Sequence, residues 1–228
     1  FIITFLIGCN QGYIQHIQYP DTTKDSIIKD TYFSTTVYDP YRWLEDDNSD
    51  ETAAWVQAQN KITFEYLENI PQRDLIKKRL TKIWNYEKIS APIKRGEKYY
   101  YYKNEGLQNQ SVFYSSEKLG GEEKIVLDPN KFSEDGTVAL SGTYFNKKGN
   151  LMGYAKSAGG SDWKDFFVLN LETGQDLEDH LEWIKFSGMA WAGDGFYYSR
   201  FPEPEGGGEL DAAQVRGVGI SGISSDVR

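Results

Sequence analysis

"EKYYYYKNEG", residues 97–106, sets four tyrosines between charged residues and closes on Asn-Glu-Gly. Aromatic side chains favour a pleated, half-buried surface, and Gly supplies the positive φ of a tight turn. The stretch therefore reads as a strand running into a hairpin turn. Seven similar runs follow: "QSVFYSS" (110–116), "EKIVLDP" (123–129), "TVALSGTYF" (137–145), "NLMGYAKSA" (150–158), "KDFFVLNLETG" (164–174), "IKFSGMAWAGDG" (184–195) and "FYYSR" (196–200). From Pro92 onward the chain is thus a succession of short strands separated by Gly-containing turns, the pattern of antiparallel hairpins.

The runs echo one another. "SVFYSSEKLGGEE" and "DFFVLNLETGQDL" share strand, acidic turn and Gly about 53 residues apart, and "GTYFNKKGNLMGYA" and "GMAWAGDGFYYSR" share Gly, aromatic, turn and strand 46 residues apart. A period near 40–50 with four strands per unit is that of β-propeller blades; on pattern alone a sandwich without repeat is the alternative. The region from Lys98 to Phe201 holds two to two and a half repeats, and a closed propeller needs at least four, so an incomplete ring is expected here.

Upstream the period changes. "DDNSDE" (46–51) offers Asp46, Asn48 and Asp50 at alternate positions, as a calcium loop does. The sixth position is Glu51 where Gly is needed, and the twelfth is Gln57 where a bidentate Glu is needed. The acids fit a helix start better: Ser49 or Asn48 can cap, and Asp50 and Glu51 sit where the helix dipole favours negative charge. Trp55, Ala58, Ile62, Tyr66 and Ile70 then recur on one face of a 3.6-residue period, and Pro71 stops it. A second helix carries Leu75, Ile76, Leu80, Ile83 and Trp84. Two such amphipathic helices do not bury one another's faces completely, so a partner surface is expected.

The amino end, "FIITFLIGCNQG", is too short to span a bilayer and fits the apolar core of a secretory signal. Leu6-Ile7-Gly8-Cys9 resembles a bacterial lipoprotein signal, with an ordinary signal tail or a chance apolar run as alternatives. The first reading makes Cys9 a lipidation site and the protein periplasmic or membrane-anchored. The last 23 residues, from Gly206, contain no aromatic and are expected to be disordered, as a natural tail or a disturbed reading. The expected organisation is 1–18 signal and tether, 19–90 helical part, 91–205 partial propeller and 206–228 tail.

A net charge of −9 argues against a nucleic-acid partner. One cysteine and two histidines leave no Cys-based or multi-histidine metal site, so no metal or cofactor is expected, and His16 and His180 read as solvated surface residues.

"YPDTTKDS" (19–26), "DPYRWLED" (39–46), "VQAQNKIT" (56–63), "NEGLQNQSVFY" (104–114), "LDPNKFSEDGTVAL" (127–140), "GGSDWKDF" (159–166) and "KFSGMAW" (185–191), in this order, resemble the amino-terminal part of prolyl oligopeptidases. The resemblance runs from about Tyr19 to Phe201. It implies an α/β-hydrolase domain under a seven-bladed propeller that admits peptides and excludes folded proteins, with cleavage after proline by a Ser-Asp-His triad. The fold class expected is mixed: amino-terminal helices belonging to the hydrolase domain, then the first two to three blades. Proline-containing peptides are the implied partners, and the complete protein is expected to be monomeric.

No Gly-x-Ser-x-Gly elbow occurs in these 228 residues, so no catalytic residue is assigned in this chain and, alone, it is expected to be inactive. Ser161 in "AGGSDW" is followed by Asp-Trp where a helix should open, and reads as a turn residue. By resemblance Phe186 reaches from the propeller to the proline-binding pocket, and Asp162 lies near the active-site opening. Without it they read as a blade-core Phe and a turn cap. Where the family often has Cys two residues after the pocket Phe, this chain has Gly188. A non-enzymatic lipid-anchored β-domain that binds a ligand or protein is the alternative function.

Overall fold

The structure is a computed structural model that describes residues 17–193 and 195–203, and the backbone of 219–220. Cys9, His16 and nearly all of the 206–228 segment lie outside the described residues. Two compact units divide the chain, 1–80 and 81–228.

In the first unit, β1 (Lys29–Tyr32) and β2 (Thr35–Tyr38) form an antiparallel hairpin that the sequence reading had not separated from the helical part. A short 3-10 turn, Arg42–Glu45, follows, and the Arg42 guanidinium pairs with Asp30 and Asp39 to tie it to the hairpin. Helix α1 spans Asp50–Glu68, and Ser49 is its cap: its side chain accepts from the Thr52 N–H at 3.2 Å. Trp55 on α1 donates from Nε1 to Thr22 Oγ1 at 2.9 Å and Gln59 donates to the Pro20 carbonyl at 3.3 Å, so α1 holds the segment leading into the fold. Helix α2 spans Arg73–Trp84, crossing the boundary between the units.

The second unit is built of antiparallel sheets. β3 (Lys88–Ile89) and β4 (Ile93–Arg95) both pair with β5 (Lys98–Asn104), the break falling at Pro92, which has no N–H to give a ladder. β6 (Val112–Ser116) and β7 (Lys124–Leu127) complete this first blade. The second blade runs β8 (Val138–Phe145), β9 (Leu151–Ala158), β10 (Lys164–Asn170), β11 (Gln175–Ile184) in spatial order. A hairpin of β12 (Ala190–Ala192) and β13 (Gly195–Tyr197) begins the next, and β14 (Ser199–Arg200) pairs with β15 (Gly219–Ile220). The echo seen in the sequence is structural: β6 and β10 are the third positions of successive blades.

Both faces of the second blade are buried. Met152, Tyr154 and Leu169 pack with Tyr100, Phe113 and Leu127 of the first blade. Ala155, Phe166, Val168 and Ile184 pack on the other side with Met189 and Phe196. The period of two puts alternate residues of β9 and β10 on opposite faces, so one run of apolar residues serves two interfaces.

One expectation is overturned. The amino-terminal helices are not part of an α/β-hydrolase domain: among the described residues every strand pair is antiparallel, and there is no parallel sheet for them to complete. An amphipathic stripe reports a helix but not its neighbour. The α2 stripe remains open, with Leu75 70% and Trp84 61% exposed. Among the described residues the architecture is sheet, with two α-helices.

A Cβ at Gly153, on β9, would lie 2.0 Å from Met189 Sδ. Gly153→Ala is therefore expected to destabilise the chain by about 1–3 kcal/mol through overpacking. A melt should show a midpoint lowered by about 2–4 °C per kcal/mol. An unchanged melt would mean the second interface is not close-packed.

On the first blade, Glu123 accepts from Lys103 Nζ at 2.8 Å and from Tyr101 OH at 2.9 Å. Lys103 first, then Tyr101, hold the Glu123 carboxyl below its ordinary value of 4.5. The unfolded chain consequently binds more protons on acidification, so this stabilisation is whole above about pH 4.5 and is lost as pH falls through the folded value. Melts between pH 3 and 7 should show a midpoint falling on the acid side, with a shallower fall in Lys103→Met. An equal slope in both would remove Glu123 from the acid response.

Candidate functional site

The two residues singled out by resemblance come from different turns of the second blade. Between β9 and β10 the chain passes through Gly159 and Gly160 at φ 59 and 76, a left-handed pair that glycine adopts without a Cβ clash. Ser161 closes the turn: its N–H donates to the Ala158 carbonyl at 2.9 Å, and its Oγ accepts from the Trp163 N–H at 3.1 Å. Ser161 is thus a blade-turn residue, and Asp162 stands outward beside it with its side chain 66% exposed.

The second contribution is the end of β11. Trp183 and Phe186 both adopt left-handed φ, 62 and 55, around the fully buried Ile184. Such conformations cost a non-glycine residue about 1–3 kcal/mol each and persist where the surroundings hold them. Trp183 is held: its carbonyl accepts from the Phe201 N–H at 2.9 Å, and its ring meets Trp163 edge-on at 5.9 Å, with Phe201 edge-on to Trp163 at 5.4 Å. Phe186 is turned out instead, 79% exposed, so it is not a blade-core residue.

Lys185 joins the two sides. Its ammonium lies 5.0 Å from the centroid of the Trp163 ring and 5.3 Å from that of Phe186, and 3.9 Å from Asp162 Oδ2. An acid, a base and an exposed aromatic thus converge on one surface, able to contact a peptide through an apolar ring and a charge. Nothing in the cluster is an activated nucleophile. Sequence reasoning missed Lys185, Trp163 and Trp183. The adjacent Lys-Phe pair was visible, but only the fold brings "SDW" up to it.

Gly188 has a local cause. A Cβ there would lie 3.0 Å from Tyr144 Cε1, a ring that packs on the core beside Phe166 at 6.0 Å, and the Tyr144 carbonyl accepts from Trp191 Nε1 at 2.8 Å. The loop after Phe186 therefore runs close against β8.

Two surface concavities lie elsewhere, on the first blade. One of about 590 Å³ is lined by Lys98, Ser115, Ser116, Lys118 and Lys124 among others, and one of about 170 Å³ lies beside Tyr99 and Tyr101. Neither contains Asp162 or Phe186. His180 is half exposed, as a solvated histidine would be, but its ring is stacked on Phe167 at 4.6 Å, 11° from parallel. Its Nε2 lies 3.5 Å from Asp165 Oδ2, and Glu182 closes a group of three metal-ligating side chains that the sequence reading did not foresee.

Residues 20–217 match the family model described as the prolyl oligopeptidase N-terminal beta-propeller domain. That span takes in α1 and α2 together with the blades, which completes the correction of the hydrolase assignment. The prolyl endopeptidase of Elizabethkingia meningoseptica is 53% identical over 195 residues, covering 85% of this chain and 27% of that protein. A solved structure from a study of two prolyl endopeptidases and their inter-domain dynamics superposes with a TM-score of 0.75 at 29% identity, covering 82% of this chain and 28% of that one. Prolyl oligopeptidase B of Galerina marginata, bound to a 25mer macrocyclization substrate, gives 0.71 at 29%, covering 83% and 30%. The chain thus spans little more than a quarter of the length of these relatives. Through its amino-terminal β-propeller domain, the chain belongs to the prolyl oligopeptidase family.

Proposed function

We propose that this chain is the amino-terminal portion of a serine peptidase that cleaves short peptides after proline, its blades forming part of a propeller that gates access. The observation that carries this reading is the 53% identity to a prolyl endopeptidase, sustained over 195 residues that include both helices and both blades. It favours the peptidase over a non-enzymatic lipid-anchored β-domain. Phe186 is assigned to the proline-binding pocket and Asp162 to the active-site opening, supported by the exposure and the left-handed backbone of Phe186 and by the Lys185 link between them. A ring presented to water at a cost in backbone strain is a surface prepared for a ligand.

The test is kinetic, on the protein carrying this chain together with the rest of its reading frame. Phe186→Ala should lower kcat/KM on a proline chromogenic peptide by about ten- to a hundredfold, the equivalent of losing about 1.5–3 kcal/mol of apolar contact. Unchanged kinetics would remove Phe186 from the pocket. The 228 residues alone should give no turnover, because they contain no nucleophile elbow. Turnover by the isolated chain would refute that assignment.

Lipidation at Cys9, with a periplasmic or membrane-anchored location, belongs to the same proposal. It rests on "LIGC" and on Cys9 being the sole cysteine. Expression of the complete gene in a bacterial host should give a palmitate-labelled product, and Cys9→Ala should not be labelled. Equal label in both would end the idea.

A further inference from the structure

We infer that Asp165, His180 and Glu182 form a surface site for a divalent transition-metal ion of the zinc type, which staples β10 to β11. The three side chains bring one ligand atom each within 4.8 Å of one another. Their placement follows from the ladder. Phe166 pairs with Leu181 and Phe167 with His180; Asp165, the next residue of β10, falls in the register shift between Lys164 and Phe166, across from Glu182 and Trp183, and His180 lies two residues from Glu182 on β11. Beyond that point the register shifts to Lys164 opposite Ile184, and left-handed Trp183 is the extra residue. A second shift lies between Phe167 and Leu169, so Asp165 and Glu182 sit in one irregularity of the ladder and His180 borders the other, and such irregularities re-aim side chains.

The carboxylates of Asp165 and Glu182 come close together, and like charges so placed repel, which a bound cation would relieve. The nearest lysine by register is Lys156, opposite Asp165 on β9. Its ammonium lies over the rings of Phe132, Tyr154 and Phe167, at 4.7, 5.6 and 4.3 Å from their centroids. Phe167 also stacks on His180, which fixes the imidazole plane. One imidazole nitrogen and two carboxylate oxygens are the donors zinc accepts, and exposure of His180 and Glu182 leaves water to fill the remaining positions. Lys156 leaves the site with a net negative charge of one while His180 is neutral, so affinity is expected to be moderate.

The test is calorimetric titration of Zn2+ into the 228-residue chain prepared without a histidine tag. One saturable site per chain is expected, with a thermal midpoint that rises with Zn2+ concentration. Loss of a direct donor should weaken binding at least as much as loss of an outer-shell partner, that is, by at least tenfold. Glu182→Gln keeps the Phe167–His180 stack, and His180→Ala removes the only nitrogen donor of the site; both should show that loss. His16→Ala, which changes the other histidine, should bind as the parent does. Absence of saturable binding would overturn the proposal, as would binding that disappears with His16 and survives both other substitutions.

Discussion

Residues alternate along β9 and β10 so that Met152, Tyr154 and Leu169 face one way while Ala155, Phe166 and Val168 face the other, and all six are at least 95% buried. A sheet apolar on both faces is stable only between two others, and each Phe or Tyr so buried removes a large area from water. The stacking of blade on blade therefore sets the rest of the second unit. It fixes register, since a one-residue slip would exchange the two interfaces. It also explains the bare backbone at Gly153, where Met189 of the following segment occupies the place of a side chain.

What the stacking leaves outside is where the chemistry collects. Turns and bulges at the blade ends are free of the alternation, and there the chain adopts left-handed backbone at Trp183 and Phe186. β11 carries His180 and Glu182, and the residues just past its end carry Lys185 and Phe186. A buried ladder holds the ends in place, and irregular residues aim side chains outward from it.

The helices tell a different story. Capping by Ser49, the acidic first turn and the stop before Pro71 are all local, and each is as the sequence implies. Their assignment to a hydrolase domain relied on an apolar stripe, which records that a face is available and not what covers it. In the first unit, part of that face meets the chain's own lead-in through Trp55 and Gln59, contacts across more than thirty residues that no local pattern announces.

By itself the sequence determined the two helices, the blade strands β5 to β10, β12 and β13, and the repeat relating β6 to β10, because alternation, aromatic content and Gly turns are local properties. It did not reveal β11. "QDLEDHLEWI" is dense in acids and puts Asp179 at one of its inward positions, so although its burial alternates, the longest strand among the described residues carries no clean apolar signal. It also pointed to Asp162 and Phe186 singly, through resemblance. Only the tertiary structure decided that Lys185 joins them, that Phe186 is turned out to water, and that His180 meets Asp165 and Glu182. These juxtapositions depend on how β10 registers against β11 and on the turns that flank them, and register shifts re-aim side chains in ways that local alternation does not announce.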